Sequence, residues 1–231
     1  TTLGYFAGLT EKAYLGVLVT GIIYRHPSVL LKTVNTLDIV SGGRAYLGIG
    51  AAWYEDEARG LGIPYPDTAE RFERLEENLQ LAKALWAGDE AAYTGTHYAA
   101  PAITNNPRPL SQPHPRIMVG GTGPNKTLRM VAQYADACNI GDWVGDEKMQ
   151  QSLDRLKEHC DALGRDYNTI EKTSLCTINL SGTDTVASIV DRIKQLAGMG
   201  FSHAIFNMPD VYTSTPLDTF AREIIPAVAH L

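Results

Sequence analysis

The residues Ile117-Met118-Val119-Gly120-Gly121-Thr122-Gly123-Pro124-Asn125-Lys126-Thr127 run from an apolar stretch through glycines into a helical pattern. Glycines let a backbone approach a ligand closely, and a helix N-terminus offers unpaired N–H groups and positive partial charge to an anion. Phosphate binding at Gly120, Gly121, Thr122 and Gly123 is the chemistry that follows. The spacing to Lys126 is not that of a Walker A loop, and the run is not GxGxxG. Two other stretches end a strand pattern unusually. Leu47-Gly48-Ile49-Gly50-Ala51-Ala52-Trp53 closes in small residues, which leave room either for a flat ligand or for close helix–strand packing. Trp53 and Tyr54 are pocket wall in the first case and core in the second. In Leu18-Val19-Thr20-Gly21-Ile22-Ile23-Tyr24-Arg25-His26-Pro27, apolar residues continue where polar turn residues are expected, which points to a bulge.

Other chemistries find little support. The six histidines are scattered, none at i, i+4 from another, and GxSxG is absent. His26 reads as a helix cap and His159 as a solvated helix residue. Cys138, Cys160 and Cys176 show no CxxC spacing, so a disulfide framework or a metal site is not expected, and they read as buried, reduced thiols. The carboxylates between Asp67 and Glu77 read as a solvated helix face. Few catalytic side chains are needed where an organic cofactor carries the reaction.

The elements that must position these residues alternate between strand and helix. Strands are expected at Tyr14–Thr20, Ala45–Gly50, Arg116–Gly120, Asp136–Ile140, Thr173–Leu180 and Phe201–Met208. Helices are expected from Pro27 to the stop at Ser41-Gly42-Gly43, then at Asp67–Gly88, where Asp67 and Glu70 resemble a capping box, and at Pro124–Tyr134, Glu147–Leu163, Asp184–Leu196 and Leu217–Ala229. The irregular stretch from Tyr93 to Pro115 reads as a lid or binding loop, with Tyr98 and Arg108 on its substrate side.

Six strand–helix units make an α/β fold, either a doubly wound sheet or a (β/α)8 barrel of TIM type. Leu3, Phe6, Ala7 and Leu9 look like the end of a helix that feeds the first strand, which favours a barrel whose first strand–helix–strand portion is missing from this chain. One domain over residues 1–231 is expected. The net charge of −6, with no stripe of Lys or Arg, argues against nucleic acid. No apolar run approaches the ~20 residues of a membrane span, and no signal peptide is visible, so a cytoplasmic protein with a small-molecule partner is expected.

Four segments together resemble the luciferase-like monooxygenase superfamily: Thr36-Leu37-Asp38-Ile39-Val40-Ser41-Gly42-Gly43-Arg44, Leu47–Trp53, Glu70-Arg71-Phe72-Glu73-Arg74-Leu75-Glu76-Glu77 and Gly120–Gly123. Within it the chain looks most like the actinobacterial branch that uses the deazaflavin coenzyme F-420. Each segment is weakly specific alone, and their order is specific in combination. The resemblance implies a cofactor at the carboxyl end of the barrel. It implies that Leu18, Val19 and Thr20 form a bulge containing a non-prolyl cis peptide under the cofactor ring, the candidate bond being Leu18–Val19 or a close neighbour. It further implies that Gly50, Ala51 and Ala52 flank the ring, that Gly120–Gly123 meet the phosphate tail, and that Asn139 and Ile140 lie near the cofactor. Trp53, Tyr98 and Arg108 remain substrate-side candidates, and no catalytic proton donor is assigned. The implied reaction is hydride transfer between the deazaflavin and a small organic substrate, in a homodimer. FMN-dependent monooxygenation with molecular oxygen is the alternative, and a non-catalytic flavin-binding barrel is the alternative of another class. A phosphosugar isomerase or aldolase barrel is disfavoured, because the strand ends carry Gly, Thr and Asn instead of a catalytic Lys or carboxylate.

Overall fold

The computed structural model describes residues 1–88, 92–102, 104–209, 211–213 and 215–231. Its main sheet has six parallel strands: β1 (Thr20–Gly21), β2 (Tyr46–Gly50), β5 (Arg116–Gly120), β6 (Ala137–Gly141), β7 (Glu171–Thr177) and β8 (His203–Asn207), hydrogen-bonded in that order. A separate antiparallel hairpin is made by β3 (Tyr93–Thr94) and β4 (Ala99–Ala100). Parallel neighbours joined through helices are the connectivity of a (β/α)8 barrel, and this sheet is a partial barrel of that type. The parallel strands carry near-continuous apolar runs because helices cover them, and Leu47, Ile49, Ile117, Val119, Cys138 and Ile140 are all nearly inaccessible.

The helices form where caps and apolar spacing agree. His26 accepts a hydrogen bond at Nδ1 from Ser28 N (3.3 Å), and Pro27 opens α2 (Pro27–Ser41), which stops at left-handed Gly42. Asp67 caps α4 (Thr68–Ala87) by accepting from Glu70 N at 2.9 Å. The reciprocal half of the expected box does not form, because the Glu70 carboxylate turns to Arg74 instead (2.6 Å). α5 (Thr127–Tyr134), α6 (Asp146–Leu163) and α7 (Val186–Met199) follow, and α7 opens with a reciprocal Thr185–Ser188 capping box. The N-terminal helix α1 (Thr2–Leu9) is tied to the α2–β2 turn by buried Arg44, which donates to the carbonyls of Ala7, Thr10, Ala13 and Ser41.

The structure departs from expectation in three places. The strand expected over Tyr14–Thr20 is reduced to β1 and an isolated bridge from Leu15 to Ala45, because the chain bulges between them. α3 (Glu55–Gly60) was not foreseen; it is six residues long and buries only Ala58, so it has no apolar period to detect. The helix expected over Leu217–Ala229 is broken into α8 (Thr215–Thr219), a π turn (Phe220–Ile224) and α9 (Ile225–Val228). Pro226 has no N–H to donate, so a regular helix cannot run through it.

The stretch from Tyr93 to Pro115, in which Ile103 lies outside the described residues, is a strap and not a free loop. Glu77 on α4 accepts hydrogen bonds from the N–H groups of Thr96, His97 and Tyr98, which closes the β3–β4 turn onto that helix. Asp38 on α2, wholly buried, accepts from Leu110 N (2.7 Å), Ser111 N (2.9 Å) and Ser111 Oγ (2.5 Å). Each carboxylate thus satisfies N–H groups that no strand partner reaches. Among the described residues, no helix is long and apolar enough to cross a membrane.

Candidate functional site

A cavity of about 680 Å³ opens at the carboxyl ends of β1, β2, β5 and β6. That lies within the ~300–1,000 Å³ usual for cofactor and small-molecule sites. Leu18, Val19, Gly50, Ala51, Ala52, Trp53, Gly120, Gly121, Thr122 and Asn139 all line it. Segments far apart in sequence therefore meet in one place.

The cavity floor is built from glycines and one valine. The Leu18–Val19 peptide is cis, which turns the chain across the strand ends. An added Cβ at Gly50 would lie 3.0 Å from Val19 Cγ2, and one at Gly120 would lie 3.2 Å from Val19 Cγ1. At Gly48 a Cβ would meet the Val17 carbonyl oxygen at 1.9 Å. The glycines of β2 and β5 thus admit the bulge itself, with Val19 wedged between Gly50 and Gly120 as a platform. Beyond β2, Ala52 has φ +67, and Arg71 Nη1 donates to its carbonyl at 3.0 Å. Arg71 is buried and its ring-stacking partner is Tyr65, 4.1 Å from the guanidinium carbon.

The turn after β5 has one of its N–H groups already in use. Gly121 has φ +120, and its N–H is already committed to the Asn139 carbonyl at 3.0 Å. What remains is the turn at Thr122–Gly123 and the side chain of Thr127. Thr127 is 4% exposed, lines the cavity, and its hydroxyl makes no hydrogen bond among the described residues. A Cβ at Gly123 would lie 2.7 Å from that hydroxyl, so Gly123 keeps the approach to Thr127 open. Asn139 is held by donation from Nδ2 to Thr173 Oγ1 (2.8 Å), and the Thr173 hydroxyl donates in turn to the Cys138 carbonyl (2.9 Å).

Five expected positions lie outside the cavity lining. Ile140 is fully buried beneath it, because side chains alternate along a strand and its neighbours Asn139 and Gly141 are the ones that face the cavity. Thr20 lines instead a second cavity of about 500 Å³ between the sheet, α1 and α2. Gly123 stands behind Thr127. Tyr98 is buried under the hairpin, its ring 5.5 Å from that of His26, and Arg108 donates to the Gly88 carbonyl at 2.8 Å. No described residue of the strap lines the cavity, so the structure gives it the role of a brace.

The cavity also has walls that sequence reasoning missed. Trp143 follows β6, and its ring lies so close over Gly141 that any Cβ there would clash at 2.1–2.3 Å. Trp53 stacks on Tyr54 at 5.2 Å between centroids, and Trp53 and Trp143 are 83% and 70% exposed at the rim. Tyr24 and Glu57, from the segment after β1 and from α3, both line the cavity, and the Tyr24 hydroxyl donates to the Glu57 carboxylate. That hydrogen bond, with some burial, raises the Tyr24 phenol above its ordinary value. Only the unforeseen helix α3 brings Glu57 here. The thiols lie elsewhere: burial pushes Cys138 and Cys176 up to about 12, which leaves them unreactive.

His159 is half-buried on its helix. Its Nε2 lies 2.7 Å from the Pro124 carbonyl, joining α6 to the turn before α5.

The family model described as luciferase-like monooxygenase matches residues 1–210. The chain is 29% identical over 275 residues to an F-420-dependent glucose-6-phosphate dehydrogenase of Beutenbergia cavernae, a match that covers 97% of this chain and 81% of that protein. It is 33% identical over 117 residues to an FMNH2-dependent dimethylsulfone monooxygenase of Pseudomonas putida, covering 51% of this chain and 30% of that one. Among solved structures, the coenzyme F-420 dependent tetrahydromethanopterin reductase of Methanopyrus kandleri superposes with a TM-score of 0.83 at 17% identity, over 97% of this chain and 86% of that one.

Proposed function

Because the chain belongs to the luciferase-like monooxygenase family, we propose that it transfers a hydride between the deazaflavin coenzyme F-420 and a small organic substrate. The observation that carries this is the convergence, in one cavity, of the Val19 platform, the small residues Gly50–Ala52 and the turn Gly120–Thr122. The residues present fit such a group. A flat ring has an apolar seat at Val19 between two glycines, and a phosphate has the Thr127 hydroxyl, unpartnered among the described residues, beside the glycine turn. When bound, the deazaflavin supplies a ring carbon that accepts or donates hydride.

The chain's own residues then bind, orient and shield. Leu18, Val19, Gly50, Ala51 and Ala52 hold the ring. Thr122, Thr127 and the Gly120–Gly123 turn hold the phosphate tail, with Asn139 at the side. Trp53 and Trp143 stand at the rim, where an arriving substrate displaces water from their rings. Preference for the deazaflavin over FMN draws support from the named relatives. The dehydrogenase match spans nearly the whole chain, and the FMNH2-dependent match spans half of it.

Titration with coenzyme F-420 and, separately, with FMN tests the proposal through absorbance and ring fluorescence. Micromolar binding of the deazaflavin with weaker FMN binding is expected. FMN binding alone would replace hydride transfer with oxygen-dependent monooxygenation, and binding of neither would point to a barrel without turnover. The same proposal has residues 1–231 act as one barrel domain within a cytoplasmic homodimer on a small molecule. Light scattering at micromolar concentration tests the dimer.

A further inference from the structure

The hydride chemistry proposed above leaves a proton to be accounted for, and the cavity contains one pair of groups built to move it. Tyr24 and Glu57 come from different elements, both line the cavity, and they are hydrogen-bonded to each other. We propose that this pair is the proton-transfer device of the site and that the substrate's reacting carbon bears a hydroxyl, so that the reaction interconverts an alcohol and a carbonyl. The inference rests on the hydride-transfer reading.

Three observations support it. The Tyr24 ring has a fixed seat: a Cβ at Gly21 would lie 3.0 Å from its Cε2 and 2.9 Å from the Ala52 Cβ, so Gly21 lets the ring edge approach the end of β1 near Ala52. Ala52 belongs to the stretch proposed above to flank the ring, and Tyr24 and Ala52 both border Gly21 and line the same cavity. The neighbouring carboxylate Glu55 is taken up by Arg59 at 2.6 Å, whereas among the described residues no cation pairs with Glu57. Glu57 is also solvent-exposed at its outer side, which gives the proton an exit to water. The groups that act on Tyr24 electrostatically are Glu57 from α3 and Tyr65 from the segment before α4, and both raise its phenol. Tyr65 is itself hydrogen-bonded to Arg71, so Glu57 is the acceptor within reach of Tyr24.

The balance is simple. In the oxidising direction the substrate C–H bond breaks and its electron pair leaves with the hydride to the deazaflavin ring, which is the oxidant. The substrate O–H bond breaks as its proton passes to Tyr24 Oη, while the Tyr24 proton passes to Glu57 Oε2, and the carbonyl C=O forms. Glu57 then releases the proton to water. In the reducing direction each transfer reverses.

The test uses the full chain and the variants Tyr24→Phe and Glu57→Gln, which keep shape and remove one proton site each. First, coenzyme F-420 affinity is measured for all three; a within-threefold match shows the seat intact. Absence of binding to the wild type would overturn the underlying hydride reading and is seen here, separately from the pair. Second, the wild type is assayed for loss of the oxidised cofactor's absorbance with a panel of primary and secondary alcohols. General acid–base catalysis contributes about 10²–10⁴-fold, so each variant is expected to lose at least about 10²-fold in kcat with little change in KM, and to lose the pH dependence of kcat that the wild type shows. Third, in the cofactor-free protein the phenol of ring-labelled Tyr24, followed by NMR, is expected to titrate lower in Glu57→Gln than in the wild type. A wild type that binds the cofactor and oxidises no alcohol overturns the proposal. So does Tyr24→Phe with wild-type kcat and pH profile, or a Tyr24 phenol that titrates alike with and without the Glu57 carboxylate.

Discussion

At the scale of single residues, the site depends on side chains that are absent as much as on those present. Gly48 faces the Val17 carbonyl so closely that a methyl group would sit 1.9 Å from it. Gly48→Ala must therefore push the bulge off its seat. We expect a loss of roughly 1–3 kcal/mol in urea unfolding, together with weakened cofactor binding. Thr127 makes the complementary case. Replacing it by valine keeps the shape of a buried side chain and removes a hydroxyl that has no partner among the described residues. The fold should be unaffected in thermal melts, and affinity for a phosphate-bearing cofactor should fall by about tenfold, the worth of one hydrogen bond to a charged group. Unchanged affinity in Thr127→Val would remove Thr127 from the phosphate seat. Gly121→Val is a poorer probe, because φ +120 at Gly121 strains any side chain whatever ligand is bound.

Residues of this kind were unevenly legible in the sequence. Gly50, Gly120 and Gly121 stood out because glycines at strand ends are chemically conspicuous. Ile140 was placed one residue off the lining, since which strand face meets the cavity depends on register. Tyr24 and Glu57 carried no signal, for a tyrosine after a strand and a glutamate among acidic neighbours look like surface. Trp143 could have been found from Asp142-Trp143 following a strand that ends in Gly141.

At the scale of elements, two buried carboxylates decide where the long strap lies. Asp38 binds the backbone of Leu110 and Ser111, and Glu77 binds the turn at Thr96–Tyr98. Asp38→Ala would leave these N–H groups without acceptors in a buried setting, at a cost of about 2–4 kcal/mol. Limited proteolysis should then cut the 105–111 segment faster, with cofactor affinity little changed, because the strap does not line the cavity. The sequence pointed to a loop here because Pro and Asn dominate it. Its anchoring was hidden, since Asp38 and Glu77 lie in helical patterns where a carboxylate reads as solvated. The strong helices were read nearly to the residue at α4, where Asp67 and Gly88 punctuate an apolar period. They were misread at the C-terminal end, where Pro226 breaks a pattern that periodicity alone would continue.

At the scale of the whole molecule, the two ends of the barrel strands divide the work. The carboxyl ends hold the cavity. Near the amino ends, Glu171 joins three strands: it accepts from Tyr46 at 2.7 Å, pairs with Arg116 at 3.1 Å and lies 3.1 Å from His203. Hydrogen bonding to His203, then to Tyr46, with the charge of Arg116, holds its carboxyl down to about 2 against an ordinary 4.5. A carboxylate lowered in the folded state stabilises fully above its unfolded pKa and loses that contribution as pH falls through the folded one. Between about pH 4.5 and pH 2 the wild type should therefore lose more stability than Glu171→Gln, by roughly 2 kcal/mol once partial solvent screening is allowed for. Urea unfolding across that range measures the difference, and parallel curves for the two proteins would remove Glu171 from the account.

The alternation of strand and helix was enough to identify the α/β class, and the order of four short segments was enough to suggest the family. The resemblance implies that the bulge at Val19 and the Gly120–Gly123 turn meet one cofactor, and the structure brings Val19, Gly120, Gly121 and Thr122 to one cavity. The central claim is that one cofactor spans both, and a crystal structure of the chain with coenzyme F-420 tests it most directly. The phosphorus should lie beside the Gly120–Gly123 turn within reach of the Thr127 hydroxyl, with the ring against Val19. Density for the cofactor in the 500 Å³ cavity between the sheet and α1–α2, or a phosphate away from the turn, would contradict the account.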